Sequence, residues 1–506
     1  MLAKFIGLTL IGLDGEIVEV EVDTNNGLPS FDIVGLPDAS VKESKERVRS
    51  AIKNSGKRFP NHKITVNLAP ADLKKEGAGL DLPIALGIVK ASSQLGDKDL
   101  TDTVFIGELS LDGGVRGVAG ILPMLISARE KGYKKAIIPS ANAKEGEYID
   151  GVEIKIADNL KQIIEYAEGV GELKTVEKLS YNVISDSVKY TDDIKFVKGQ
   201  YVAKRAMEVA VSGNHNIILV GPPGAGKTML AKCIPSIMPD MSFEEALETT
   251  KIHSASGKLA SDEGIVYRRP YVTPHHTASR VAVIGGGVSS KPGIISLAHN
   301  GVLYLDEMAE YPRSILESLR QPLEDRVITV SRAKASVEYP ASFMLVGSMN
   351  PCPCGYYGTK QGECKCSSSQ IIKYKSKVSG PLMDRMDIRI NVESVKYEDL
   401  ANKTQGESSE EVRKRVNRTR LIQRERFLGD EINSNAEMGE RHLNIYCKLS
   451  KECEDIMKKA FESLKLSARA RSRILKVART IADMELCQDI EPKHLLEAIG
   501  YRSEEL

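Results

Sequence analysis

Tryptophan is missing from the 506 residues, and aromatic side chains make up only 5%. A large aromatic platform for stacking single-stranded bases is therefore not expected. Long apolar runs are missing as well. Nothing approaches the roughly 18 consecutive apolar residues that a membrane-crossing helix needs. Neither sign of charge dominates, with 70 Lys and Arg against 69 Asp and Glu and a net charge of +1. Such a balance argues neither for nor against nucleic acid, and any basic surface must be local. Met1-Leu2-Ala3-Lys4-Phe5-Ile6-Gly7 opens the chain without the charged stretch and apolar core of a secretory signal. A cytoplasmic setting is the expectation, and there the eight cysteines are reduced thiols or metal ligands, not disulfides. Internal repeats and long low-complexity tracts are not found.

What is present is a chain with 42% hydrophobic residues, long enough for about two to four domains with their own cores. Residues 1–170 read as α/β, with strands at Ile17–Val22 and Ile64–Leu68 alternating with amphipathic helices. One helix starts near Leu36-Pro37-Asp38-Ala39-Ser40, where Asp38 or Ser40 can cap it. Gly107–Val118 has the look of a hairpin. Residues 171–194 are polar and read as a linker. Residues 195–395 carry the apolar runs Ile217–Val220, Gly301–Leu305 and Phe343–Gly347. They lack period-two polarity, as strands of a parallel sheet covered on both faces do. Residues 396–506 are charged and helical, with Ile474, Val477, Ala478, Ile481 and Ala482 at helix spacing.

Gly221-Pro222-Pro223-Gly224-Ala225-Gly226-Lys227-Thr228 matches the phosphate-binding loop G-x-x-x-x-G-K-[ST], directly after a strand and before a helix. Glycines let backbone N–H groups wrap phosphates, and the helix N-terminus adds a positive dipole. Lys227 is placed to reach the β- and γ-phosphates of ATP, and Thr228 to hold Mg²⁺. The apolar run ending in Asp306-Glu307 supplies two acids. The first suits Mg²⁺, and the second can polarise the attacking water. Asn350, closing Gly347-Ser348-Met349-Asn350, has two readings: it orients that water, or it forms a turn before Pro351. Arg385, in Gly380-Pro381-Leu382-Met383-Asp384-Arg385-Met386-Asp387, is either an arginine finger for a neighbouring subunit or a surface partner of Asp384 or Asp387. Arg469, Arg471 and Arg473, at the start of a late helix, compete on chemistry alone for contact with the nucleotide.

Longer motifs make the chain similar to a known family. They are Arg269-Pro270-Tyr271, Pro274-His275-His276-Thr277-Ala278-Ser279, Ile284-Gly285-Gly286-Gly287, Pro292–Gly301, Asn350-Pro351-Cys352-Pro353-Cys354-Gly355 and Ala478–Asp483. Over essentially its whole length the chain resembles the ComM/YifB family of magnesium-chelatase-like AAA+ ATPases. The resemblance implies a homo-hexameric ring with ATP sites between subunits, Arg385 as the finger and Arg469 as the sensor on a C-terminal helical lid. Members related to ComM are understood as DNA helicases that drive branch migration, so branched or single-stranded DNA is the implied partner. Their chelatase cousins remodel a protein partner, and the adhesion domain with its D-x-S-x-S signature is not read here. A non-enzymatic assembly factor is a third reading, which an intact ATP site disfavours. Residues 1–170 resemble the Lon-protease/S5-like fold. Leu122 stands where Lon carries its lysine, and Lys75-Glu76-Gly77-Ala78-Gly79-Leu80-Asp81 has no serine. Nucleophilic catalysis needs both groups, so no peptidase activity is expected.

Cys352, Cys354, Cys364 and Cys366 form paired C-x-C motifs that read as a Zn²⁺ site or as four reduced thiols in a loop. Cys233, Cys447, Cys453 and Cys487 fall on expected helices and read as core. His275 and His276 lack a third local ligand and read as loop packing or caps. Arg332 and Lys334 lie at the tip of an expected hairpin. In a ring of the implied family that tip would face the pore and grip DNA phosphates; otherwise it is a solvated turn. The run from Arg413 to Arg426 reads as a solvated helix face, or as a DNA or subunit contact.

Overall fold

Apolar side chains alternate with polar ones over Asp14–Asn25, the pattern of a strand buried on one face, and Val18, Val20 and Val22 are fully buried. In the computed structural model, which describes all residues except 1, 182–189, 261, 288–290, 332–335, 360–361, 402–405 and 504–506, this strand pairs antiparallel with Leu2–Ile11. The sheet grows to eight strands in the order Lys174–Thr175, Glu153–Ala157, Lys135–Pro139, Thr103–Phe105, Leu2–Ile11, Asp14–Asn25, Lys63–Ala69, Ser30–Val34. The Ala39–Asn54 helix begins at the expected cap, where the Asp38 carboxylate accepts the Val41 N–H at 2.8 Å. The expected hairpin is Glu108–Leu109 paired with Val115–Arg116. Lys174–Thr175 lies inside the stretch read as linker, yet it adds an edge strand to the sheet. Backbone pairing there is anchored by the buried Leu173 and Val176 on either side.

The described chain divides into two units that are not continuous in sequence. One holds Met1–Ser187, Phe243–Tyr267 and Gly286–Pro292; the other holds Val188–Ser242, Arg268–Gly285 and Gly293–Leu506. Within the first, the Phe243–Ser256 helix packs on the Ile121–Glu130 helix. A contiguous segment 195–395 is therefore interrupted twice by stretches that belong to the N-terminal unit.

The second unit is built on five parallel strands in the order Tyr271–Val272, Val302–Leu305, Met344–Met349, Ile217–Val220, Ile388–Asn391. The middle three are buried along their whole length, which explains their unbroken apolar sequence. The first strand of the chain order lies between the fourth and fifth, a switch point at whose C-terminal end α/β sheets bind ligands. The later helices share a core with this sheet. Ile474, Val477, Ala478 and Ile481 belong to one buried cluster with Ile217, Leu219 and Val346.

Asp387 marks where sheet and helices meet. It is 3% exposed, accepts the Asn216 N–H at 2.9 Å and pairs with Arg473. Burial pushes its carboxyl up, but the Arg473 charge and His215 pull it far below the usual carboxylate range. A depressed folded pKa gives stability that is present above the unfolded value of about 4 and is lost as pH falls further. Asp387→Ala takes the carboxylate partner from the half-buried Arg473 and the acceptor from the Asn216 N–H. We expect a loss of about 1–3 kcal/mol, read as a lower urea midpoint at neutral pH. A midpoint equal to that of the parent chain would contradict the role given to this pair.

Candidate nucleotide site

The Lys227–Ile237 helix begins immediately after a loop in which Gly224 (φ 75°) and Gly226 (φ 90°) hold left-handed backbone. Glycine adopts that conformation without penalty. A Cβ at either would meet nothing within 4 Å, so the loop presents open backbone rather than packed side chains. Gly221, Pro222, Pro223 and Ala225 complete the turn, and Ala225 is buried beneath it. The Lys227 ammonium donates to the Gly221 carbonyl at 2.7 Å, the Pro222 carbonyl at 2.8 Å and the Asn350 Oδ1 at 3.1 Å. Burial lowers its pKa, and the charges of Asp306 and Glu307 oppose that. The contact from Asn350 favours a role in the site over a bare turn.

The two acids leave the sheet beside this loop. Thr228 Oγ1 donates to Asp306 Oδ2 at 3.2 Å. A hydroxyl and a carboxylate oxygen at that separation fit Mg²⁺, a hard cation that takes oxygen ligands. Asp306 also accepts from Ser348 Oγ at 2.6 Å and Tyr304 Oη at 2.7 Å. Burial raises its carboxyl, and these hydroxyls with Thr228 outweigh it, so Asp306 stays ionised below the usual range. Glu307 is exposed and left-handed (φ 51°), a strained setting for a side chain with a Cβ, and its N–H donates to Ser348 Oγ at 3.1 Å. One hydroxyl therefore orients both acids.

Ser348 and Tyr304 were not singled out in the sequence. Two signals were there. Tyr304 precedes Asp306 by two positions and so shares its face of the strand. Ser348 is a polar residue, 1% exposed, in an apolar strand, and buried hydroxyls need partners.

The arginines separate by surroundings. Arg473 is committed to Asp387 and the Arg385 carbonyl. Arg469 is exposed at the start of the Ala468–Met484 helix, and Arg471 is exposed beside it. Arg385 pairs with Glu324, not with Asp384 or Asp387, and donates to the Pro381 carbonyl at 2.6 Å. Its side chain is buried, so the surface ion pair weighed for it does not hold. Burial lowers its pKa, Glu324 opposes that, and Arg320, Arg473 and Arg469 stand close enough to repel it.

Cys352, Cys354 and Cys364 bring their sulfurs within 3.4–3.7 Å of one another, and Cys366 joins them with all four sulfurs within 4.8 Å. Cys233, Cys447 and Cys453 are buried as expected, whereas Cys487 follows its helix and is half-buried. His275 stacks on His276 at 4.2 Å and bonds Thr277 at 2.7 Å, which is loop packing. In the Ser409–Arg426 helix, Arg415 pairs with Glu208 and Glu407, and Arg426 with Asp483. Those basic residues serve the unit's own packing. Arg332 and Lys334 lie outside the described residues. The strands on either side, Val327–Ser331 and Ser336–Pro340, do pair as an antiparallel hairpin.

Comparison with known proteins agrees with this geometry. Family models described as magnesium chelatase, subunit ChlI, match residues 193–400; subunit ChlI of Mg-chelatase, residues 20–142; and subunit ChlI C-terminal, residues 406–502. The chain is 42% identical over 499 residues to competence protein ComM of Haemophilus influenzae, covering 97% of this chain and 96% of that protein. It is 41% identical over 498 residues to YifB of Escherichia coli, covering 97% and 95%. Lon protease of Koribacter versatilis is 27% identical over 176 residues, 32% of this chain and 21% of that one.

Ser348→Ala tests the shared hydroxyl. Losing a hydrogen bond to a charged group costs about 1.5–3 kcal/mol, so kcat/KM for ATP should fall roughly 10- to 100-fold. Without the Ser348 donor the Asp306 pKa rises, so the acid limb of the pH–rate profile should move to higher pH. An unmoved limb would show that Ser348 does not act through Asp306.

Proposed function

Since the chain belongs to the ComM/YifB family of magnesium-chelatase-like AAA+ ATPases, we propose that it is an ATP-driven hexameric ring motor on DNA, a branch-migration helicase. The observation that carries this reading is the gathering of Lys227, Thr228, Asp306, Glu307 and Asn350 at the C-terminal ends of three adjacent strands. The Lys227 ammonium exchanges neutral carbonyl acceptors for phosphate oxygens, a charge-assisted and stronger bond. Thr228 and Asp306 would hold Mg²⁺, which would supply positive charge to offset that of the phosphates. Glu307 accepts a proton from the attacking water, and Asn350 keeps that water in line. The cofactors are ATP and Mg²⁺, with Zn²⁺ at Cys352, Cys354, Cys364 and Cys366. No described helix is long and apolar enough to cross a membrane, and a cytoplasmic setting is part of the proposal.

Arg385 and Arg469 lie in one electropositive cluster. In the ring Arg385 serves the γ-phosphate of a neighbouring subunit, which takes the place of Glu324 beside it, and Arg469 is the sensor that touches the nucleotide from the helical domain. DNA as the substrate is supported by relatedness over 97% of the chain to a protein named for competence. The paired strands flanking Arg332 and Lys334 support these residues as the pore-facing DNA contact. Remodelling of a protein partner is the competing outcome.

Two experiments test this. Glu307→Gln should bind ATP normally but hydrolyse it at least 100-fold more slowly, and it should fail to migrate a labelled branched DNA that the parent chain resolves. Branch migration by the variant at the parent rate would remove hydrolysis from the mechanism. Lys227→Ala and Arg385→Ala should each be inactive alone, and mixing them should restore part of the ATPase activity. Mixed rings contain interfaces with an intact loop facing an intact finger, so no recovery on mixing would contradict the shared site.

A further inference from the structure

The three Sγ–Sγ separations among Cys352, Cys354 and Cys364 are 3.4, 3.7 and 3.6 Å. A disulfide would need about 2.0 Å, so these are not bonded pairs. Four sulfurs at about 2.3 Å from one tetrahedral zinc lie about 3.8 Å from each other. The cluster has that size, with Cys366 as the fourth corner. Backbone donors face the sulfurs: Tyr357 N–H points to Cys352 Sγ at 3.4 Å, the N–H groups of Tyr356 and Lys365 to Cys354, and that of Cys366 to Cys364. Such donors stabilise thiolate charge and fix the ligands' orientation.

The loop that carries these cysteines lies on the phosphate-binding loop. Gly355 (φ 86°) approaches Pro223 so closely that a Cβ there would sit 2.4 Å from the proline ring. Tyr357, Gly358 and Thr359 line a cavity of about 460 Å³ together with Gly221 and Pro222. Asn350, the Lys227 partner, stands two residues before Cys352. We infer that Cys352, Cys354, Cys364 and Cys366 hold one structural Zn²⁺, and that this zinc-tied loop braces the phosphate-binding loop, so that zinc occupancy sets nucleotide affinity. The second half rests on the ATPase reading; the first does not.

The full chain, purified under reducing conditions, is assayed for zinc by mass spectrometry and for binding of a fluorescent ATP analogue. About one zinc per chain is expected, against almost none in Cys364→Ser/Cys366→Ser. Stripping zinc from the folded parent chain with a strong chelator should weaken analogue binding about tenfold, and returning zinc should restore it. The chelation arm stands even where the double variant fails to fold. A zinc-free chain with all four thiols titratable, or with disulfides by mass, overturns the metal site. Zinc that can be removed without any change in affinity overturns the brace. A zinc-loaded chain that binds no analogue at all overturns both the brace and the ATPase reading, while the zinc count remains its own result.

Discussion

Parallel pairing of three short buried strands is the constraint on which the site depends. Val220 lies opposite Met349, and Leu305 opposite Gly347. The chain therefore leaves the sheet at Gly221, Asp306 and Asn350, all at the strands' C-terminal ends. Side chains alternate faces along a strand, so a one-residue slip would turn Ser348 away from Asp306 and Asn350 away from Lys227. Buried polar groups would then lose their partners in a low-dielectric interior, where that loss is costly. The apolar runs that fill the two faces of this sheet fix the register, and the register fixes the chemistry.

Local chemistry was legible in the sequence wherever a short stretch carries both the residue types and their spacing. The loop Gly221–Thr228, the acids at Asp306 and Glu307, and the Asp38 cap are of this kind. What depends on contacts across the chain was not. Ser348 reaches Asp306 only through the strand pairing. Arg469, Arg471 and Arg473 offer the same guanidinium, and only the buried Asp387 distinguishes Arg473 as a structural partner. Arg385 had Asp384 and Asp387 as sequence neighbours, yet its partner is Glu324. The Phe243–Ser256 helix sits between motifs of the nucleotide unit in sequence and packs with the N-terminal unit. Its low amphipathic signal gave no hint of the Ile121–Glu130 surface it covers.

The N-terminal unit ties its buried polar groups to one another. Leu122 is buried, and its N–H donates to the Glu145 carboxylate at 3.1 Å. Lys75 is buried and donates to the Pro70 carbonyl. Glu145 also accepts from Asn142 at 2.7 Å and from Ser254, on the Phe243–Ser256 helix. Burial raises its carboxyl against these donors. These polar groups serve packing within the unit.

In the proposed motor, hydrolysis at Lys227 and Glu307 is coupled to DNA. The most direct measurement is the ATP turnover rate of the full chain with and without saturating forked DNA at fixed, low salt, where phosphate contacts are strongest. A several-fold increase in kcat on adding DNA, absent in Lys227→Ala, is the result the account predicts. Turnover that is present but unchanged by DNA at that salt concentration would contradict it.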